Sequence, residues 1–277
     1  MEKLGLNHNN GIKRFINKTS NNLKLRIAIM QKDKSKVEKL WFGKRVLFDL
    51  KYDLEYDLEL SEEQKETQMK FKKYFPSIIE LFKGSEEDIS IFWQYANDEI
   101  KEENSKLFPK IIEVVKNDHS NLSNVWKSTS DKIKDENYEL FPSVIEQLKN
   151  NFNDLKYVWD STSEKIKSQF PGIENKYYRF RADSLEKEAN QFGYSIPEKW
   201  IVAEPEVQRL KPELLEYFIK NDIECGGYRI NELWINTDYQ VQRNNPETLN
   251  QIIEFADANT SGDYYLSSIF LVLIINY

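Results

Sequence analysis

A pattern written three times between Phe75 and Phe170 limits what this chain can fold into more than anything else in it. FPSIIELFKGSEEDISIFWQYANDEIKEENSKL (75–107) is followed by FPKIIEVVKNDHSNLSNVWKSTSDKIKDENYEL (108–140) and FPSVIEQLKNNFNDLKYVWDSTSEKIKSQ (141–169). The period is 33 residues, and it brings back Phe75, Phe108 and Phe141, then Trp93, Trp126 and Trp159, then Ile100, Ile133 and Ile166. The second and third copies share 15 of 29 aligned residues. A period of this length marks supersecondary units that bury their apolar faces against one another. In the first copy Ile78, Phe82, Ile89, Trp93 and Ile100 fall on a helical stripe; the next copy repeats it from Ile111 to Ile133 and the third from Val144 to Ile166. Each copy opens on Phe-Pro, and proline suits the first turn of a helix, where its missing donor is no loss. Ser128, Thr129 and Ser130, like Ser161, Thr162 and Ser163, offer caps after the tryptophan. Residues 75–172 therefore read as three helix-pair repeats, although the signatures of tetratricopeptide and ankyrin repeats are absent.

The flanks read differently. Residues 1–22 are polar, Asn-rich and aperiodic, as in a flexible tail. Leu23, Leu25, Ile27 and Ile29 alternate with Lys24 and Arg26, the period of a strand. VEKLWF and VLFDL read as two further strands turned at Gly43. From Val46 to Leu60 apolar residues alternate with Asp49, Asp53, Glu55, Asp57 and Glu59, one apolar and one acidic face. That acidic face is either solvated or a partner surface, since no Asp-x-Asp-x-Asp-Gly loop gathers its oxygens for a cation. Ser61 with Gln64 then makes a capping box for a helix, so residues 23–74 are expected to form an antiparallel β-meander and a helix. The passage FGKRVLFDLKYDLEYDLELSEEQKETQMKFKKYF resembles a bacterial domain family of unknown function found beside immunity-type genes.

After the repeats, residues 177–277 read as an α+β domain. A helix carries Leu185, Ala189 and Phe192 inward and turns at Gly193, and another runs from about Pro212 to Asn221. Strands are expected at 228–230, 252–256 and 264–266, the last two joined by an Asp/Asn/Gly-rich turn. Ile196-Pro197-Glu198, Gly226-Gly227, Phe255-Ala256-Asp257 and Gly262-Asp263-Tyr264-Tyr265 resemble the motifs of the SUKH superfamily. That resemblance implies an α+β fold and, for bacterial members, an immunity role: binding and neutralising a polymorphic or contact-delivered toxin, often a nuclease. The partner-binding residues it suggests are Glu254, Asp257, Asp263, Tyr264 and Tyr265. The closing SIFLVLIINY is a buried strand, a subunit contact or the end of a truncated reading frame.

Charge and chemistry narrow the function. The net charge of -7 divides unevenly, because residues 1–45 hold twelve Lys/Arg against three Asp/Glu. An acidic body disfavours nucleic acid and anionic membrane and suits a basic partner. With one cysteine, Cys225, no disulfide framework exists, and a reducing cytoplasm is expected. Two histidines, His8 and His119, leave little material for zinc or for His-dependent nucleophilic catalysis. Glycine-rich phosphate loops, a signal peptide and a spanning run are also missing. The expectation is a cytoplasmic α+β protein, not an enzyme and without cofactor, whose partner is a basic protein toxin. Two alternatives stand beside it: a helical-repeat scaffold or interaction module with no toxin target, and a hydrolase using Asp257 and Asp263.

Overall fold

Three capping residues decide the shape of each repeat. Ser85, Asp118 and Asn151 hold the same position, eight residues before the tryptophan. Each accepts, through its side-chain oxygen, from the backbone N–H three residues on: Asp88 at 3.3 Å, Asn121 at 2.9 Å and Asp154 at 3.0 Å. Such a cap satisfies a donor that every helix start leaves open, so a new helix begins there. Each repeat is thus three helices and not the expected pair. They are Phe75–Phe82, Glu86–Gln94 and Asp98–Glu103; Phe108–Val115, His119–Lys127 and Asp131–Glu136; and Phe141–Gln147, Phe152–Asp160 and Glu164–Lys167. A 3-10 turn, Ser105–Leu107 or Tyr138–Leu140, leads into the next Phe-Pro.

The structure is a computed structural model that describes residues 21, 23–42, 60–192 and 197–258. Among the described residues every regular element is helical and there is no strand, so the fold is all-α and the α+β expectation is overturned at both ends. Residues 23–30 are helix, with Leu25 and Ala28 buried and Leu23 and Ile27 exposed. The alternation of large side chains hid an i, i+3 face that uses a small alanine. VEKLWF lies in the helix Lys34–Phe42, whose buried residues are Val37, Trp41 and Phe42; the remainder of the expected meander lies outside the described residues. At the other end Ile252–Ala256 belongs to the helix Pro246–Ala258, which buries Thr248, Ile252 and Ala256 at a spacing of four. Ile230 likewise opens a helix, Ile230–Ile235, where a strand was expected. The helix after Ser61 forms with both halves of its capping box in place.

The chain divides into two compact units, Met1–Gln147 with Asp160–Ile166, and Leu148–Trp159 with Lys167–Tyr277. In the first, the core is a ladder of rings. Trp41 stacks on Phe75 at 5.4 Å, Trp93 on Phe108 at 5.7 Å and Trp126 on Phe141 at 5.8 Å. Phe75 also meets Trp93, and Phe108 meets Trp126, at 6.1 and 5.8 Å. Ring pairs of this kind contribute about 0.5–1.5 kcal/mol each beyond their area burial. In the second unit the long helix Ile173–Phe192 packs Ala182, Leu185 and Ala189 into a core that includes Trp200, Leu215, Phe218, Ile230 and Leu233.

Candidate functional site

The five residues expected to bind a partner are not gathered into a site among the described residues. Glu254 is exposed on the helix Pro246–Ala258, which also holds Asp257. Asp263, Tyr264 and Tyr265 lie outside the described residues. Phe255-Ala256-Asp257, read as a strand entering a turn, is helical backbone. Gly226 and Gly227 have a local explanation. They follow the helix Glu213–Glu224 with φ of 105° and 74°, and the Gly227 N–H closes that helix on the Asp222 carbonyl at 2.7 Å. A Cβ on Gly227 would lie 2.3 Å from the Phe255 ring.

What the sequence reading missed is a polar clasp at the seams between copies. The buried indole N–H of Trp93 donates to the Thr129 hydroxyl at 2.8 Å, and that of Trp126 to Thr162 at 2.8 Å. These threonines, taken for helix caps, are acceptors for the preceding copy; Thr129 in turn donates to the Val125 carbonyl at 2.6 Å. A second bond runs beside the first. Lys101, buried, reaches the Ser128 carbonyl at 2.7 Å and the Gln94 carbonyl at 3.2 Å, and Lys134, also buried, reaches the Ser161 carbonyl at 2.6 Å. Carbonyls at a helix end are orphan acceptors that favour a cation. Even so, burial lowers the Lys101 pKa against the opposing pull of Asp98, and brings Lys134 down to about 8.

The same clasp recurs outside the three obvious repeats. Trp200 donates to Thr237 at 2.8 Å, three residues after Trp234, as Thr129 is three after Trp126. Gln208, eight residues after Trp200, stands where Lys101 and Lys134 follow their tryptophans, and donates to the Asn236 carbonyl at 2.9 Å. Gln68 stands seven residues before Phe75, as Lys101 does before Phe108, and donates to the Tyr95 carbonyl at 2.9 Å. Asn104, Asn137 and Asn245, each eleven residues past its tryptophan, close the third helix by donating to the Ile100, Ile133 and Val241 carbonyls at 2.8, 2.8 and 2.7 Å. All six tryptophans, Trp41, Trp93, Trp126, Trp159, Trp200 and Trp234, are buried, and the last five share an apolar residue seven on and Lys or Gln eight on. The legible signal was Trp with Thr or Ala three on, an apolar residue seven on and Lys or Gln eight on. Changed spacing obscured it: Trp41 to Phe75 is 34 residues where Trp93 to Phe108 is 15.

One buried ion pair stands apart, in the second unit. Arg181, fully buried, lies 3.4 Å above the Phe152 ring and binds Glu204 Oε2 at 2.8 and 3.2 Å, while the Tyr177 hydroxyl donates to Oε1 at 2.6 Å. Burial pushes the Glu204 carboxyl up, but Arg181 and Tyr177 outweigh it and its pKa ends below the ordinary value. Glu204 stands where Asn97 and Asp238 cap the third helix in their copies, and its side chain goes to Arg181 instead. Every oxygen and nitrogen named in this cluster is engaged in packing, so it reads as a brace for the long helix. Cys225 is exposed, and among the described residues no group of His, Cys, Asp or Glu is placed to hold a metal ion. No described helix is long and apolar enough to cross a membrane. No family model matches the chain, and no curated protein or solved structure does.

Proposed function

We propose that this chain is a helical-repeat binding protein that acts by presenting surface to another protein, without catalysis. The observation that carries the reading is that its copies agree inside and differ outside. Tryptophan, the Thr acceptor and the Lys or Gln clasp recur where side chains are buried, whereas some exposed positions in the same register differ between copies, as Lys127, Asp160 and Ile235 do, or Lys106 and Glu139. Repeat chains built this way separate a stabilising frame from a surface that sets the partner. A net charge of -7 suits a basic partner, since complementary charge speeds encounter. Toxin neutralisation, the role implied by the C-terminal resemblance, is the case in which that partner is a basic nuclease. The chain acts in the cytoplasm, where an exposed thiol such as Cys225 stays reduced.

The test is capture of a partner on immobilised full-length chain at low salt, its release at high salt, and reconstitution of the pair from purified components. A stoichiometric complex supports the reading, and loss of the partner's nuclease activity in that complex supports the toxin-neutralising form. A partner whose activity is untouched favours the interaction module instead. Turnover of a small substrate by the purified chain, or assembly into homo-oligomers with no foreign partner in the complex, overturns it.

A further inference from the structure

We propose that the helix at residues 23–30 is an interfacial anchor, whose outer face, Leu23, Ile27 and Met30 between Lys24 and Arg26, settles on an anionic lipid surface. This goes beyond the binding role proposed above and does not rest on it.

Helix geometry alone places the three apolar residues on one face. At about 100° per residue, Leu23, Ile27 and Met30 fall within an arc of about 60°. Leu25 and Ala28, which this helix buries, project to the opposite side. One side thus serves folding and the other is left bare: Leu23, Ile27 and Met30 are 56%, 37% and 75% exposed. Scattered apolar side chains need no explanation, but these are not scattered. Among the described residues no further large apolar side chain is exposed between Met30 and Tyr138. The helix ends in a fixed turn, where the Asp33 and Lys32 N–H groups close on the Ala28 and Ile29 carbonyls at 2.9 and 3.1 Å and Lys32 takes a left-handed φ of 55°.

The charges on that helix select the occupant. Arg26 lies about 40° beyond Met30 and Lys24 about 60° beyond Ile27. Both are exposed, so a cation edges the stripe on each side. Residues 23–30 hold no acid, and exposed Lys32 follows them. The nearest carboxylates along the chain are Asp33, which accepts from the Lys36 N–H at 3.1 Å, and half-buried Glu38. On the helix Glu62–Phe71, which packs against Lys34–Phe42, Glu62 and Glu66 pair with Lys65 and Lys70 at 2.9 and 2.8 Å, and Glu63 is exposed. Upstream in the sequence, Lys3, Lys13, Arg14 and Lys18 stand against Glu2.

An apolar stripe edged by cations is the pattern of a helix that lies in the headgroup layer without spanning it, stripe inward and cations on the phosphates. A second copy of this helix would set cation against cation. A protein partner would need a groove shaped to a convex helix, whereas a fluid lipid surface conforms to it. The acidic remainder of the chain opposes the approach, but physiological salt confines that repulsion to about 8 Å.

The experiment floats the full chain with vesicles of pure phosphatidylcholine or of equal parts phosphatidylcholine and phosphatidylglycerol. Binding should be stronger on the anionic vesicles by about tenfold or more and should fall with added salt. L23S/I27S/M30S and K24E/R26E should each weaken it by about tenfold or more. K106E/K110E, which makes the same change of net charge at exposed positions of the repeats, should leave it unchanged. Every substituted side chain is exposed, so helix content and urea midpoint should hold, and either of the first two variants gives the readout if the other fails to fold. A polarity-sensitive fluorophore on Met30→Cys, in a Cys225→Ser background, should shift to the blue on anionic vesicles.

No binding to anionic vesicles, equal binding to neutral ones, full binding by L23S/I27S/M30S, or no shift at position 30 overturns the anchor. So does a loss in K106E/K110E as large as in K24E/R26E, because net charge and not the helix is then responsible. An acidic protein held through Leu23, Ile27 and Met30 while anionic vesicles are left free makes protein the occupant, and overturns it as well.

Discussion

The second repeat and the copy built on Trp200 meet one packing demand with different side chains. Both must satisfy a carbonyl at the end of a helix in the following copy. The second repeat sends Lys134, and the other sends Gln208. Each side chain is buried, but their chemistry differs, since an ammonium only donates and a carboxamide also accepts. Gln208 uses that second capacity for the Asp238 N–H, as Gln68 does for the Asn97 N–H at 3.0 Å. The position therefore requires a donor and not a charge. In the regular repeats the charge is carried against the penalty of desolvation, which the lowered Lys134 pKa reports.

The largest expected effect is Gln208→Lys. It removes the acceptor for Asp238 and buries a charge, so stability should fall by about 3 kcal/mol, read from urea midpoints. If this exchange is tolerated as well as its reverse in the second repeat, the contrast between the two regions is wrong. Next is Thr129→Val, which keeps the shape but leaves the Trp93 indole buried without an acceptor, for a loss of about 2 kcal/mol. Thr237→Val should cost the same in the other region, because the clasp is the same.

A gain is expected at the chain's other end. Trp41 has a buried indole nitrogen without a partner among the described residues, and the position three residues after Trp93, where Thr129 stands after Trp126, is Ala96. Ala96→Thr should stabilise by about 1 kcal/mol if the first copy shares the register of the others. No gain in midpoint would place Trp41 outside that register.

The smallest change is Lys134→Gln, expected to stay within about 1 kcal/mol at neutral pH because the carbonyl keeps a donor. Its value lies in the pH dependence. The folded pKa of Lys134, about 8, is below the ordinary lysine value of 10.5, so between these values the unfolded chain binds more protons. Stability contributed by this group therefore rises as pH climbs through that window and is flat below it. Urea midpoints at about pH 7 and about pH 9.5 should rise less in Lys134→Gln than in the unaltered chain. Some slope should persist from Lys101, whose pKa is lowered too.

The regular repeats were legible because recurrence is a strong signal: Phe75, Phe108 and Phe141 with their tryptophans announced the frame. The flanks were misread for a specific reason. Short apolar stretches such as LKLRIAI fit a period of two and a helical face equally well by their large residues, and burial of Ala28 breaks the tie. Nor could spacing alone place Trp200 with the repeats, since it follows Trp159 by 41 residues instead of 33.

By itself, then, the order of residues determined that this chain repeats, which side chains line its interior and how its charge is distributed, because those properties are local or additive. Only the tertiary structure decided that residues 23–30, Lys34–Phe42 and Pro246–Ala258 are helical and that Trp93 and Trp200 are clasped alike by Thr129 and Thr237. The partners of those bonds lie 36 and 37 residues apart, and a hydrogen bond answers to distance in space, where the helices of adjacent copies meet, and not to distance along the chain.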